Sequence, residues 1–64
     1  MHTFKEAAEL AVMCAVNARG AASRSVAAEL WQMAKEYQAE AATLDRDQRV
    51  EIGEPPRVLR STSF

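Results

Sequence analysis

Large apolar residues recur every three or four positions between Ser23 and Leu44, the longest regular stretch of the chain. Polar residues such as Gln32 and Glu36 fall elsewhere on a helical wheel, and the alternation of two that marks a strand is absent. This spacing predicts an amphipathic helix over about 24–48. Its apolar stripe contains Val26, Leu30, Met33, Tyr37 and Leu44, with Ala27, Ala34 and Ala41 beside it.

A shorter helix is predicted before it. Thr3 and Glu6 have the T-x-x-E spacing of a capping box, so this helix begins near Phe4 and runs over about 4–18. The stretch from Leu10 to Val16 is entirely apolar. A helix that is apolar nearly all round is covered on more than one side, which a single partner helix does not achieve.

The residues between the two helices are typical of a tight connection. Gly20 is expected to take the left-handed conformation just after the first helix, and Arg19 lies near the negative end of its dipole. Ser23 or Ser25 is expected to cap the second helix. The connection of about four residues makes the two helices antiparallel neighbours.

The composition changes after Leu44. Polar residues 45–49 are predicted to extend the second helix, Gly53 ends it, and Pro55-Pro56 imposes an extended path. We therefore divide the chain into a helical hairpin at 1–50 and an extended or disordered tail at 51–64.

The chain has too little bulk to form a stable pair of helices alone. Hydrophobic residues make up 48% of it, but thirteen of these are alanine. Full burial of a large apolar side chain stabilises by roughly 1.5–3 kcal/mol, against about 1.5 kcal/mol lost for every ordered residue. One cysteine excludes an internal disulfide. The predicted fold is all-α: an antiparallel hairpin that dimerises into a four-helix bundle, with an extended C-terminal tail.

Trp31 lies off the main stripe and is flanked by alanines, which indicates the close approach of another helix. The alternative is that Trp31 packs over the first helix within one hairpin. The predicted intermolecular interface comprises Leu10, Met13, Val16, Leu30, Trp31, Met33, Tyr37 and Leu44.

The net charge of −1 argues against a nucleic-acid binder of the strongly basic kind. Basic and hydroxyl side chains are nevertheless concentrated near the turn, where they are a candidate anion site: Arg19, Ser23, Arg24 and Ser25. Simple capping in a solvated loop is the alternative interpretation.

Little in the sequence indicates catalysis. Cys14 has no histidine near it in sequence, since His2 lies some three turns away, and is interpreted as a structural cysteine. Three carboxylates on the second helix could face a di-metal bundle site, but they lack its Glu-x-x-His partner, so no metal or other cofactor is predicted: Glu29, Glu36 and Glu40. The absence of a nucleophile–base pair, metal spacing or glycine-rich phosphate loop favours a non-enzymatic protein. Neither a membrane span nor a signal peptide is recognisable, which favours a cytoplasmic location.

The segment LWQMAKEYQAEAATLD, at 30–45, follows an S-x-A-A-E pattern at 25–29. Together they resemble a signature of short uncharacterised helical proteins of alpha-proteobacteria. The similarity covers the second helix and the turn before it. It implies a small cytoplasmic bacterial helical protein and carries over no functional residues, because that group has no assigned activity.

These observations predict a protein–protein interaction module, either homo-oligomeric or a small accessory subunit of a larger protein assembly. In the second version Val58, Leu59 and Phe64 form an arm that fills pockets on the partner. The alternative is a regulator that binds an anionic ligand or nucleic acid through Arg19, Arg24, Arg57 and Arg60.

Overall fold

The computed structural model describes residues 1–60 and contains three helices: α1 (Phe4–Gly20), α2 (Arg24–Leu44) and α3 (Arg57–Arg60). No strand occurs in this part of the chain. The two long helices pack against each other along their lengths. The predicted all-α class and helical hairpin are confirmed.

The start of α1 is fixed by the predicted capping box. The backbone amide of Glu6 donates to Oγ1 of Thr3 at 3.1 Å, and the amide of Thr3 donates to Oε1 of Glu6 at 2.9 Å. Two amides that the first turn leaves without helical partners are thereby satisfied.

The end of α1 differs from the prediction. Gly20 is the last helical residue, two positions beyond Ala18, and the chain leaves the helix through Ala21 at φ −72°, ψ 137°. Since Ala21 is in the extended region, the connection at 21–23 needs no left-handed residue. The expectation of a left-handed Gly20 was wrong, and within residues 1–60 the glycine with positive φ is Gly53, at 78°.

The start of α2 agrees with the prediction and its end does not. Oγ of Ser23 accepts from the amide of Val26 at 3.4 Å, and the helix begins at Arg24. It ends at Leu44 rather than near residue 48. Asp45 is extended, and its carboxylate accepts from the Asp47 amide at 3.0 Å and from Nε2 of Gln48 at 2.8 Å. These local bonds replace the next helical turn.

The hairpin is antiparallel and its interface is lined by alanine. Nδ1 of His2, before α1, lies 3.1 Å from Oε2 of Glu40, near the end of α2. Small side chains let the axes of the two helices approach closely. The large residues of the predicted stripe therefore lie beside the contact between the helices and not within it. The alanine seam, whose members are all fully buried, consists of Ala7, Ala11, Ala15, Ala18, Ala27, Ala34 and Ala41.

The segment after α2 returns along the hairpin. Residues 50–56, which we call the strap, contain the buried Ile52 and Pro56. Residues 57–60 form α3, which contacts α2, so the predicted tail is extended only in part. Val58 and Leu59 are half-buried rather than projecting as an arm, and Phe64 lies outside the described residues.

Candidate interaction surface

The hairpin has two flanks, one on each side of the alanine seam, and the strap covers one of them. In α2, Trp31 and Gln38 lie on the covered side, while Met33 and Tyr37 lie on the other, as their spacing around Ala34 requires. We call the second side the open flank. In residues 1–60, the strap hydrogen bond from Gln38 lies on the covered side, whereas Met33 on the open flank is 41% exposed.

Side-chain hydrogen bonds to backbone carbonyls hold the strap. Nη1 of Arg19 donates to the carbonyl oxygens of Ile52, at 2.6 Å, and Glu54, at 3.1 Å. Nε2 of Gln38 donates to the carbonyl of Val50 at 2.8 Å. One charged and one neutral donor thus fix the strap to the last turn of α1 and the middle of α2.

Gly53 allows the strap to turn beneath Arg19. Its φ of 78° lies in the left-handed region, where a side chain is strained. A Cβ at this position would also lie 3.0 Å from Nη1 of Arg19. The backbone conformation favours glycine here, and an added Cβ would also displace the Arg19 guanidinium.

Ile52 completes the hydrophobic core on the strapped flank. It is 7% exposed and forms one cluster with Ala11, Cys14, Ala15 and Ala34. Trp31 and Val50 are half-buried against this cluster on the strapped flank, and Tyr37 is half-buried against it from the open flank. Trp31 therefore packs within its own hairpin, as the alternative prediction for this residue states.

The open flank and the adjoining outer face of α1 expose the large apolar side chains. The exposed fraction is 58% for Met13 and 54% for Val16 in α1, and 46% for Val26 and 41% for Met33 in α2. Leu44 is 37% exposed at the end of α2. Single exposed apolar residues are normal, but a run along two packed helices is typical of an interface.

The N-terminal segment closes one end of the open flank. The His2 ring packs edge-on against Tyr37, with ring centroids 5.6 Å apart, and its Nδ1 bonds to both Glu40 oxygens, at 3.1 and 3.3 Å. His2 also lines a shallow depression with Leu10 and Met13. The apolar surface is therefore bordered by a polar group where it meets the chain terminus.

No protein-family model, curated protein or solved structure matches the chain.

The predicted interface residues separate into three groups. Leu10 of α1 lies on the open flank, whereas Met13 and Val16 lie on the outer face of α1, turned away from α2. Trp31 lies on the strapped flank. The α2 residues on the open flank are Leu30, Met33, Tyr37 and Leu44.

The predicted anion residues make bonds within the chain. Arg19 is bound to the strap, and Oγ of Ser23 both caps α2 and lies 3.1 Å from Oγ of Ser25. Nη1 of Arg60 is paired with Oε1 of Glu54 at 2.9 Å. This leaves Arg24 as the basic side chain at the turn without a hydrogen bond in residues 1–60. Binding of an anion at the turn stays a prediction.

Other chemistry on the described residues is sparse. Cys14 is a buried free thiol within the apolar cluster. No group of three or more His, Cys, Asp or Glu residues in the described part of the chain is arranged to hold a metal ion. None of the helices in residues 1–60 is long and apolar enough to cross a membrane.

The strap was missed at the sequence level. Its key residues, Val50 and Ile52, are isolated apolar positions in a polar stretch that has no helical or strand period. The usable signal was Gly53 placed between Ile52 and the two prolines, since glycine in such a segment often marks a turn or a close approach.

Proposed function

We propose that this chain is a non-enzymatic protein–protein interaction module that associates with a second copy of itself through the open flank. Two hairpins paired in this way form a four-helix bundle. The proposal rests on one observation: the interior of the hairpin is filled by alanine, whereas Met13, Val26 and Met33 are more than 40% exposed.

The energetics favour covering this flank. A buried methyl group stabilises by about 0.8 kcal/mol, whereas a fully buried methionine, leucine or valine side chain stabilises by roughly 1.5–3 kcal/mol. The side chains that could stabilise the fold most therefore lie where they contribute least in a single copy. A second hairpin would bury them without changing the alanine seam.

A second copy is a suitable occupant for reasons of shape and charge. The open flank is a long apolar strip on two antiparallel helices, and a two-fold axis places such a strip against itself. Its apolar centre consists of side chains such as Leu10, Leu30 and Met33, and the carboxylate of Glu40 lies at its edge. This division into an apolar centre and a polar rim is usual for interfaces.

The decisive variant places a charge on the open flank. Met33→Lys buries an unpaired ammonium in the proposed interface, so we expect the dissociation constant of the dimer to rise at least about tenfold. The matched control is Gln32→Lys, which adds the same charge at an exposed neighbouring position off the flank. Light scattering across a dilution series measures the dissociation constants of both variants.

Equal dissociation constants for the two variants would contradict association through the open flank. A wild-type chain that is unfolded and monomeric would instead point to an obligate larger partner, of which this chain would be an accessory subunit. Binding to a phosphate-rich partner through arginines would weaken steeply with added salt, whereas an apolar interface would not.

A further inference from the structure

A cavity of about 410 Å³ lies between the C-terminal half of α2 and the segment that follows it. Three basic side chains line it: Lys35 from α2, and Arg46 and Arg49 from the connection to the strap. Ala39 and Ala42 contribute methyl groups from α2. The cavity therefore combines positive charge with small apolar wall residues.

Hydrogen bonds within the chain fix the walls of this cavity. Gln38, which also lines it, holds the Val50 carbonyl at 2.8 Å. The carboxylate of Asp45 holds Gln48 at 2.8 Å and the Asp47 amide at 3.0 Å. The segment carrying Arg46 and Arg49 is thus anchored on both sides of the two arginines.

The three lining cations form no ion pair within residues 1–60. The ion pairs in this part of the chain join His2 to Glu40 and Arg60 to Glu54, and neither involves a lining cation. Glu51 is the acidic residue in the lining, against three cations. All three cations are exposed, so an anion from solvent can reach them.

We propose that this cavity binds a small anion in which a phosphate or carboxylate group adjoins a compact apolar part. The guanidinium groups of Arg46 and Arg49 suit the planar, bidentate recognition of such an anion, and Lys35 adds a point charge. The methyl groups of Ala39 and Ala42, with the Val50 side chain, provide the apolar contact. This site is separate from the open flank and does not depend on self-association.

A small ligand fits this arrangement better than a nucleic acid. The cavity volume is within the range of about 300–1,000 Å³ usual for small-molecule sites. The net charge of −1 is also unfavourable for binding an extended polyanion. The three cations are gathered in one concave place rather than spread along a face.

Isothermal titration calorimetry of the full chain tests the proposal with three probes. Phenyl phosphate carries both parts of the inferred ligand, inorganic phosphate carries the anion alone, and phenol carries the ring alone. We expect phenyl phosphate to bind at least about tenfold more tightly than either of the others. No detectable binding of phenyl phosphate, or equal binding of all three, would overturn the proposal.

Charge variants locate the binding. The double variant Arg46→Gln/Arg49→Gln removes two lining cations and is expected to weaken phenyl phosphate binding at least about tenfold. The control Arg24→Gln/Arg57→Gln makes the same change in net charge at exposed positions outside the cavity. Circular dichroism establishes that both variants remain folded.

Equal weakening in the two double variants would mean diffuse attraction by net charge and would overturn the site. A single-stranded oligonucleotide provides the last comparison. If it binds more tightly than phenyl phosphate and loses affinity on Arg46→Gln/Arg49→Gln, the surface recognises a polyanion and the small-ligand assignment is wrong.

Discussion

The two flanks of the hairpin are covered in different ways. On the strapped flank, Ile52 enters the core, and Arg19 and Gln38 bind strap carbonyls, so this side is completed by the chain's own residues. On the open flank, Val26 and Met33 of α2 remain exposed. One flank resembles the interior of a small domain, and the other resembles half of an interface.

The difference shows how a small chain divides its apolar residues between folding and association. The alanine seam permits close packing but buries little area per residue, so one larger side chain from the strap contributes much of the core. Substitutions on the strapped flank should therefore change the stability of each hairpin. Substitutions on the open flank should change association.

The largest effect is expected at the strap. Ile52→Ala removes the largest side chain of the core cluster and should lower the free energy of unfolding by about 2–5 kcal/mol. Urea unfolding followed by circular dichroism, at one protein concentration, measures it. Val12→Ala, at an exposed position of α1, is the control and should change stability by no more than about 0.5 kcal/mol. Similar values for the two would contradict a core that depends on the strap.

A somewhat smaller effect is expected in the seam between the flanks. Ala34→Leu inserts bulk at a fully buried position and should destabilise by about 1–3 kcal/mol, because the helices must move apart. Ala28→Leu makes the same change at an exposed position of α2 and should have little effect. Thermal unfolding compares the two. A neutral Ala34→Leu would show that the helices do not approach as closely as described.

The smallest effects distinguish the two glycines and have opposite signs. Gly53→Ala should destabilise by about 1–2 kcal/mol, because φ is positive and the new Cβ approaches Arg19. Gly20→Ala should stabilise by about 0.4–1 kcal/mol, since Gly20 is helical and no atom lies within 4 Å of the added Cβ. Denaturant midpoints of the two variants give the signs. If both midpoints shifted in the same direction, the two glycines would not have the different backbone conformations described here.

The helices and their starts were predictable from the sequence because their signals are local. Thr3 and Glu6 are three residues apart, and Ser23 lies directly before α2, so each cap needs only its own neighbours. The end of α2 was harder to predict. Asp45 lies in a polar run with helical spacing, and the side-chain bonds that end the helix compete closely with one more turn.

The orientation of the stripes and the course of the strap could not be predicted in this way. Spacing identifies an apolar stripe on α2 but does not specify that Ala34 rather than Met33 faces α1. The position of Ile52 depends on a hydrogen bond from Arg19, which lies 33 positions away in the sequence. No local pattern links the two residues. The cavity at Lys35, Arg46 and Arg49 likewise exists only once the segment after Leu44 turns back.

The most direct test of the central claim is sedimentation equilibrium of the wild-type chain, with circular dichroism at matching concentrations. If the open flank is an interface between copies, the helical species is a dimer, and its melting temperature rises with protein concentration. A stable helical monomer at micromolar concentration, with a melting temperature independent of concentration, would contradict it.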